Sequence, residues 1–504
     1  MDSKLIIAKG IKIDKNYTNV LTYGTNDMLS LVESKEVYHQ DNYNYIDYDK
    51  REILADIDYS IAIECNYIAF QNPRHGNKWY FAFIDDCIYK APRQCKIVFT
   101  IDVWSTFFDN WSAKPCFVVR EHVNDDSIGK HTVPENVTTG DYVINSHLRD
   151  SYNRADSHIV IASNIDPHIQ SGEPSTRTAG TYNGIPYSYS LFDAGINANN
   201  IITFLNRLGD QQDAVENIFF APPWVIGNVG LNYEIEQTLI PVTQDTGISP
   251  IRSLDGYTPK NKKLLTYPYC YILGSNGQNQ NAIYQQELWG LNSNNEMVFR
   301  MYGALSPGCS IRGIPINYKG DEVCESEGIN LGKFPTLSWS TDFYTLWCSD
   351  NLLNNSSSLV EGVSQMASGN IVGGAESIGN LLYSDYKAQR VPPQIHGNTN
   401  CGDIMCSMKE NCFHIFRMTI RQEYAKQIDN YFSRFGYKIN ETKTPNIYGR
   451  QNFNFVEIGK DECIGYGDVP SKYMEEINDI CRQGVTIWHN HENLGNYNVS
   501  NNII

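Results

Sequence analysis

The chain has little that marks an enzyme or a nucleotide-binding protein. Its 504 residues hold no GxxxxGK(S/T) loop to cradle phosphates, no GxGxxG turn and no HExxH helix pair. The 13 cysteines are scattered and odd in number, with no CxxC pair matched by a second pair or by histidines at metal-ligand spacing. That excludes an ordinary structural zinc site and leaves cysteine as a reduced core residue of a protein made in a cytoplasm. Apolar runs are only a few residues long against the ~20 that cross a bilayer. The start, MDSKLIIAKG, lacks the basic region, long apolar stretch and small-residue cleavage site expected of a secretory signal. Positive charge is in deficit: 40 Lys and Arg face 57 Asp and Glu, a net charge of −17. A protein that clamps nucleic acid by neutralising phosphates needs the opposite balance, whereas an acidic surface lets DNA pass without sticking.

What the chain does have is length for two to four domains with sizeable cores, together with 33 Tyr and 8 Trp. Such aromatics fill β-sheets, interface cores and sugar-stacking platforms alike. Candidate chemistry is sparse. Asp85-Asp86, Asp125-Asp126 and Asp321-Glu322 are acidic pairs of the kind any acidic surface carries. His489-Asn-His491 is the only close histidine pair and lacks a third ligand, so it reads as a loop feature. His122 has no nucleophile beside it and reads as a packing or interface residue. Gly308 to Gly313 lacks the central Ser of a GxSxG elbow and reads as a turn. The expectation is no catalytic residue, no metal, no cofactor and no enzymatic activity.

Hydrophobic periodicity predicts a mainly β protein with α+β parts: antiparallel barrel or sandwich domains, an inserted loop-rich domain and a C-terminal α+β domain. Strands are expected at Ile57 to Glu64, Tyr67 to Gln71, Trp79 to Tyr89, Lys96 to Val103 and Phe117 to Arg120, interrupted by Asn72 to Gly76 and Lys90 to Gln94. From Asn124 to about Ser253 the chain is rich in Gly, Ser, Thr and Asn, with a short helix expected at Ile201 to Leu208. Strands resume at Leu264 to Ile272, Ala282 to Leu291 and Met297 to Met301. The C-terminal part alternates strand, helix, strand, helix, strand: Phe413 to Ile420, Arg421 to Phe435 closed by Gly436, Phe453 to Ile458, Ser471 to Arg482 closed by Gly484, and Val485 to His489. The segments are read as 1–123, an N-terminal β domain; 124–260, an inserted or second domain; 261–350, a β-rich domain; 351–394, a glycine-rich amphipathic loop; and 395–504, the α+β domain.

Ser356 to Leu382 is unlike the rest. Its only charges are Glu361 and Glu376, and Val360, Val363, Ala367, Ile371, Ala375, Ile378 and Leu382 share one helical face. Gly362, Gly369, Gly373, Gly374 and Gly379 each cost roughly 1 kcal/mol relative to Ala in a helix, so an isolated helix here needs external support. Packing against copies of itself, against lipid, or in an ordinary core would each supply it. Pro392-Pro393 then imposes an extended exit.

Short strings in a fixed order carry a resemblance: Tyr67 to Asn72, Gly76 to Phe83, Phe99 to Trp104, Phe117 to Val123, Tyr267 to Cys270, Pro392 to Gln394 with Gly397 to Thr399, Tyr437 to Asn440, Pro445 to Phe455 and Gly484 to His489. Together, from about residue 55 to 500, the chain resembles the tail knob (distal tail tube) proteins of small phi29-like podophages. The middle region and the length of the glycine-rich segment depart from that pattern. The resemblance implies a ring-forming virion structural protein at the tail tip, with 1–123 and 261–350 as its tube domains, a homohexamer whose hollow centre transiently holds viral dsDNA and which joins other tail proteins such as the collar or lower tail tube. It implies synthesis in the bacterial host's cytoplasm and a loop that plugs the lumen and meets the host cell membrane on genome ejection. That loop would carry Leu359, Val360, Val363, Met366, Ile371, Val372, Ile378, Leu381 and Leu382 as its apolar, membrane-active residues. Gly369, Gly373, Gly374, Pro392 and Pro393 would be its hinges. As a helix, Val360 to Leu382 would be about 34 Å long, and six copies on one axis would hide their apolar stripes against each other. The alternative function is a tail-tip receptor-binding protein whose Asn124 to Ser253 region recognises host cell-wall glycans.

Overall fold

The computed structural model describes residues 3–47, 51–73, 76–152, 158–163, 180–182, 185–193, 215–221, 244–277, 280–302, 310–333, 336–337, 339–340, 395–396, 411–460 and 464–504. The protein is mainly β, with a curled antiparallel half-barrel sheet, as the periodicity predicts. The chain forms two compact units and passes between them four times. One unit comprises Met1–Gly140, Tyr257–Leu265 and Gln422–Ile504; the other comprises Asp141–Gly256 and Thr266–Arg421.

The first unit is built on a seven-stranded antiparallel sheet in the order Glu36–Asp41, Lys4–Ala8, Tyr67–Gln71, Trp79–Ala91, Gln94–Ile101, Glu52–Ala55, Asn44–Asp47. Successive side chains of a strand point to opposite faces, so the near-continuous apolar runs Leu5 to Ala8 and Tyr67 to Phe70 require cover on both sides. They have it. Leu5, Ile7, Ile68, Phe70, Ile97 and Phe99 share one core with Val118, Val456, Val485 and Ile487 of a five-stranded sheet and with Ile477, Ile480 and Cys481 of the helix Ser471–Gln483. That second sheet runs Asn19–Leu21, Val485–Trp488, Phe453–Ile458, Cys116–Glu121, Tyr437–Lys443. On the opposite face Ile6, Tyr67, Ala69, Phe81 and Phe83 pack with Met28 and Val32 of the helix Thr25–Ser34.

The second unit contains a four-stranded antiparallel sheet ordered Tyr142–Tyr152, Asn411–Ile420, Cys270–Ser275, Asn281–Tyr284. A further sheet has Gln244–Ile248, Met297–Tyr302, Ser310–Tyr318 and Asp321–Val323, with Ile329–Lys333 also paired to Ser310–Tyr318. An aromatic core joins the two. Phe299 meets Phe413, Tyr284 and Trp289 edge-on at ring centroids of 4.9, 4.9 and 5.0 Å. Such pairs contribute about 0.5–1.5 kcal/mol each beyond area burial. The polar ends are satisfied: Trp289 Nε1 donates to the Ile316 carbonyl at 2.7 Å and Tyr284 Oη to the Glu327 carbonyl at 2.7 Å. A third antiparallel sheet orders Gly180–Tyr182, Ile185–Asp193, His158–Ser163, Val215–Ala221 and Thr336–Leu337.

Several local expectations need correction. Ile57 to Glu64 is not a strand: Tyr59–Ala62 is one helical turn entered from Asp58, whose extended backbone (ψ 136°) is that of an N-cap. Leu264 to Ile272 divides into a 3₁₀ turn at Lys262–Leu265 and a strand beginning at Cys270, because Pro268 cannot donate to a ladder. In the region 124–253 the described residues include the strands Tyr142–Tyr152, His158–Ser163, Ile185–Asp193 and Val215–Ala221, which were not expected. Ser310 to Gly313 lies in a strand instead of a turn. Ile201 to Leu208 lies outside the described residues. The helices Gln422–Phe435 and Ser471–Gln483 end where the glycines predict, with Gly436 at φ +65° and Gly484 at φ +84°.

Candidate functional site

The strongest functional expectation falls on 351–394. Leu359, Val360, Val363, Met366, Ile371, Val372, Ile378, Leu381, Leu382, Gly369, Gly373, Gly374, Pro392 and Pro393 all lie outside the described residues. The base of the segment is described. Trp339–Ser340 pairs antiparallel with Ile395–His396, Trp339 opposite His396 and Ser340 opposite Ile395. Paired strands lie about 4.8 Å apart, so the residues that flank 341–394 in sequence stand side by side in the second unit. Upstream, Thr336–Leu337 adds to the edge of Val215–Ala221. Downstream, Asn411–Ile420 is clamped between Tyr142–Tyr152 and Cys270–Ser275 over long ladders. Among the described residues this flanking ladder is two residue pairs long, each hydrogen bond contributing about 1 kcal/mol net, beside the longer ladders of Asn411–Ile420. Among the described residues no helix is long and apolar enough to cross a membrane.

The acidic pairs do not converge on a site. Asp85 accepts Thr100 Oγ1 at 2.5 Å, and Asp86 accepts the Cys87 amide at 2.8 Å. Asp125 closes a turn on Ser127 and Lys130, whose hydrogen bonds hold its carboxyl well below the usual carboxylate range. Asp126 accepts Tyr437 Oη at 2.6 Å and the Lys262 amide at 3.0 Å. Asp321 and Glu322 sit exposed on a short strand. His122 is buried, its Nδ1 accepting the Phe455 amide at 2.8 Å and its Nε2 donating to the Ser433 carbonyl at 3.1 Å; burial pushes its pKa down to about 3. It is a packing residue. His489 contacts Thr22 and Asn454, and no group of three metal-ligating side chains occurs among the described residues.

Two features escaped the sequence reading. In the first unit the Glu135 side chain is buried and accepts Lys263 Nζ at 2.6 Å, the Lys438 amide at 2.8 Å and Arg120 Nη2. Arg120 also donates to the Gly436 carbonyl at 2.8 Å and lies over the Tyr431 ring. Asp429 accepts four further hydrogen bonds, from Tyr257 Oη, the Lys260 and Asn261 amides and Asn261 Nδ2, at 2.6–3.0 Å. Glu135 and Asp429 thereby anchor the short Tyr257–Leu265 passage in the first unit. Arg120 and Glu121 stand in an otherwise apolar strand, which was the one available signal of a buried ion network. The second feature is an apolar surface: Tyr59, Ile61, Ile63 and Tyr89 are exposed, with the Tyr59 and Tyr89 rings 6.4 Å apart.

Comparison with known proteins agrees with this architecture. Residues 237–502 match the family model of the C-terminal domain of the Bacillus phage phi29 tail knob protein gp9, and residues 1–112 match that of the caudoviral major tail protein N-terminus. The tail knob protein gp9 of Bacillus phage PZA is 24% identical, covering 90% of each chain, and that of Bacillus phage phi29 is 23% identical, covering 97% of this chain and 96% of its own. The solved tail knob protein gp12 of bacteriophage C1 superposes with a TM-score of 0.63 at 14% identity, covering 100% of both chains. The chain belongs to the family of the phi29 tail knob protein gp9 and is a structural component of a phage tail.

Proposed function

We propose that the protein forms a hollow homohexameric knob at the tip of a short phage tail, conducts DNA through its lumen, and closes that lumen with the excursion 341–394. The observation that carries the reading is the paired base at Trp339–Ser340 and Ile395–His396. It pairs the residues that flank 341–394, the stretch containing the glycine-rich run Ser356 to Leu382, whose only charges are Glu361 and Glu376. Detaching the base breaks two residue pairs and leaves the long ladders of Asn411–Ile420 intact, so the plug can be expelled without unfolding its scaffold. Expelled, the stripe from Val360 to Leu382 loses its self-packing and gains the host membrane as the apolar phase that covers it. The net charge of −17 suits a conduit that passes DNA instead of retaining it.

The test is release of dye from liposomes by the full-length protein and by a variant lacking residues 356–382. The expected result is leakage with the full chain and none with the deletion, both having the same melting temperature. Equal leakage from the two would refute the membrane role of the segment.

A further inference from the structure

The first unit carries a cavity of about 490 Å³ that the tube account does not use. Its walls are contributed by the Lys260–Asn261 passage, by Ser433, and by the C-terminal run Tyr497 to Asn502 packed over Arg450 and Phe453. Most wall groups are already satisfied. Asn261 Nδ2 donates to Asp429 and Ser433, and both ring nitrogens of His122 are bonded. Asn501 accepts the Asn452 and Phe453 amides and donates to the Phe453 carbonyl at 2.7 Å.

Arg450 is the exception. It is 8% exposed, yet its guanidinium makes one hydrogen bond, from Nη1 to the Asn501 carbonyl at 3.3 Å, and Nε has no acceptor. Among the described residues no carboxylate lies within ion-pair distance of Arg450 or of Lys260 at the cavity wall. The carboxylates that face this region are committed elsewhere: Asp429 to its four donors, and Asp126 to Tyr437 and Lys262. A third cation, Arg434, lies over the ring of Tyr497, 4.3 Å from its centroid. The Asp126 carboxylate acts on Arg450 from beyond ion-pair distance while bonded to Tyr437 and Lys262, and a buried guanidinium so placed is costly unless something supplies hydrogen-bond acceptors. Burial lowers its pKa accordingly. In a chain so acidic overall, Arg450 and Lys260 at the wall of one cavity, with only committed carboxylates beside them, make a local positive site.

We propose that this cavity binds a phosphate group, with Arg450 as the buried forked donor and Lys260 as the charge at its wall. Guanidinium geometry matches two oxygens of a phosphate at once, and the volume leaves room for an organic substituent. The group is either free phosphate or a phosphodiester within a polymer.

The test is isothermal titration calorimetry of the full chain with inorganic phosphate and with dimethyl phosphate, repeated on Arg450→Gln and Lys260→Gln. Binding of either probe is expected to weaken at least about tenfold in Arg450→Gln and about threefold in Lys260→Gln. Preference for inorganic phosphate assigns the site to the free ion; equal or better binding of dimethyl phosphate assigns it to polymer phosphodiesters. If Arg450→Gln fails to fold, Lys260→Gln and phosphate-induced slowing of amide exchange across 450–454 and 498–502 carry the test. No heat with either probe, or binding unaltered in the variants, would overturn the proposal.

Discussion

Glu135→Gln isolates the ion network of the first unit. The substitution keeps the side chain's size and removes its charge, leaving Arg120 and Lys263 buried against a neutral amide. The Lys263 side chain is 3% exposed, and the rings of Phe432 and Tyr437 lie 5.8 and 5.3 Å from its Nζ. Cation–π attraction of that kind is about 2 kcal/mol when desolvated, less than the roughly 3–5 kcal/mol lost when a buried ion pair is broken. Removing one partner of a buried pair costs about 3–5 kcal/mol, so the variant should melt roughly 6–20 °C lower for a unit of this size. Differential scanning calorimetry of the full chain reads this directly, in the transition assigned to the first unit by limited proteolysis. Lys263→Gln alone should also destabilise, and the double variant should recover about 1.5 kcal/mol or more of the summed loss. A Glu135→Gln change below about 1 kcal/mol, with no coupling to Lys263, would show that the network does not hold the Tyr257–Leu265 passage.

Gly436→Ala should cost at least about 2 kcal/mol, since a Cβ there lies 2.1 Å from the Glu121 carbonyl oxygen at a φ of +65°; urea unfolding checks it. His122, buried with its pKa pushed down to about 3, is neutral in the native state, whereas in the unfolded chain it protonates near 6.5. Its contribution to stability is thus complete above pH 6.5 and falls as pH drops through that window, by about 2–3 kcal/mol at pH 4.5; His122→Asn should lack that slope in urea midpoints measured from pH 7.5 to 4.5. Glu135, whose carboxyl burial raises but the Lys263 hydrogen bond brings below its usual value overall, adds a second loss beneath about pH 4.5 that Glu135→Gln removes. Ile61→Glu with Ile63→Glu should leave the monomer's melting temperature unchanged while abolishing higher assembly in light scattering, because both side chains are exposed and apolar; retained assembly would exclude that patch as a subunit contact.

Much of the fold was legible because its strongest signals are local. Tyr67–Gln71 and Phe453–Ile458 coincide with the strands expected, being β-rich runs bounded by turn residues. Gly436 and Gly484 marked helix ends because only glycine adopts positive φ there without strain. Ile57 to Glu64 misled because an apolar pattern over so few residues is shared by a strand and a single helical turn. Tyr142–Tyr152 was missed because Asn145, Ser146 and Arg149 break the apolar alternation; its partner Asn411–Ile420 is remote in sequence, and such pairings leave no local trace. The same holds for Glu135 with Arg120 and Lys263, and for Arg450 beside Asn501. Arg120 alone stands out, as a charge in the apolar run Cys116–Glu121; Glu135, Lys263 and Arg450 are unremarkable where they stand, and only the fold removes their water or brings their partners.

The central claim is a six-fold tube closed by the excursion between Ser340 and Ile395. Electron microscopy of the purified full-length protein beside the variant lacking residues 356–382 tests it most directly. The account predicts six-fold rings in both, with an occupied centre in the full chain and an open one in the variant. Monomers in both, or rings whose centres do not differ, would contradict it.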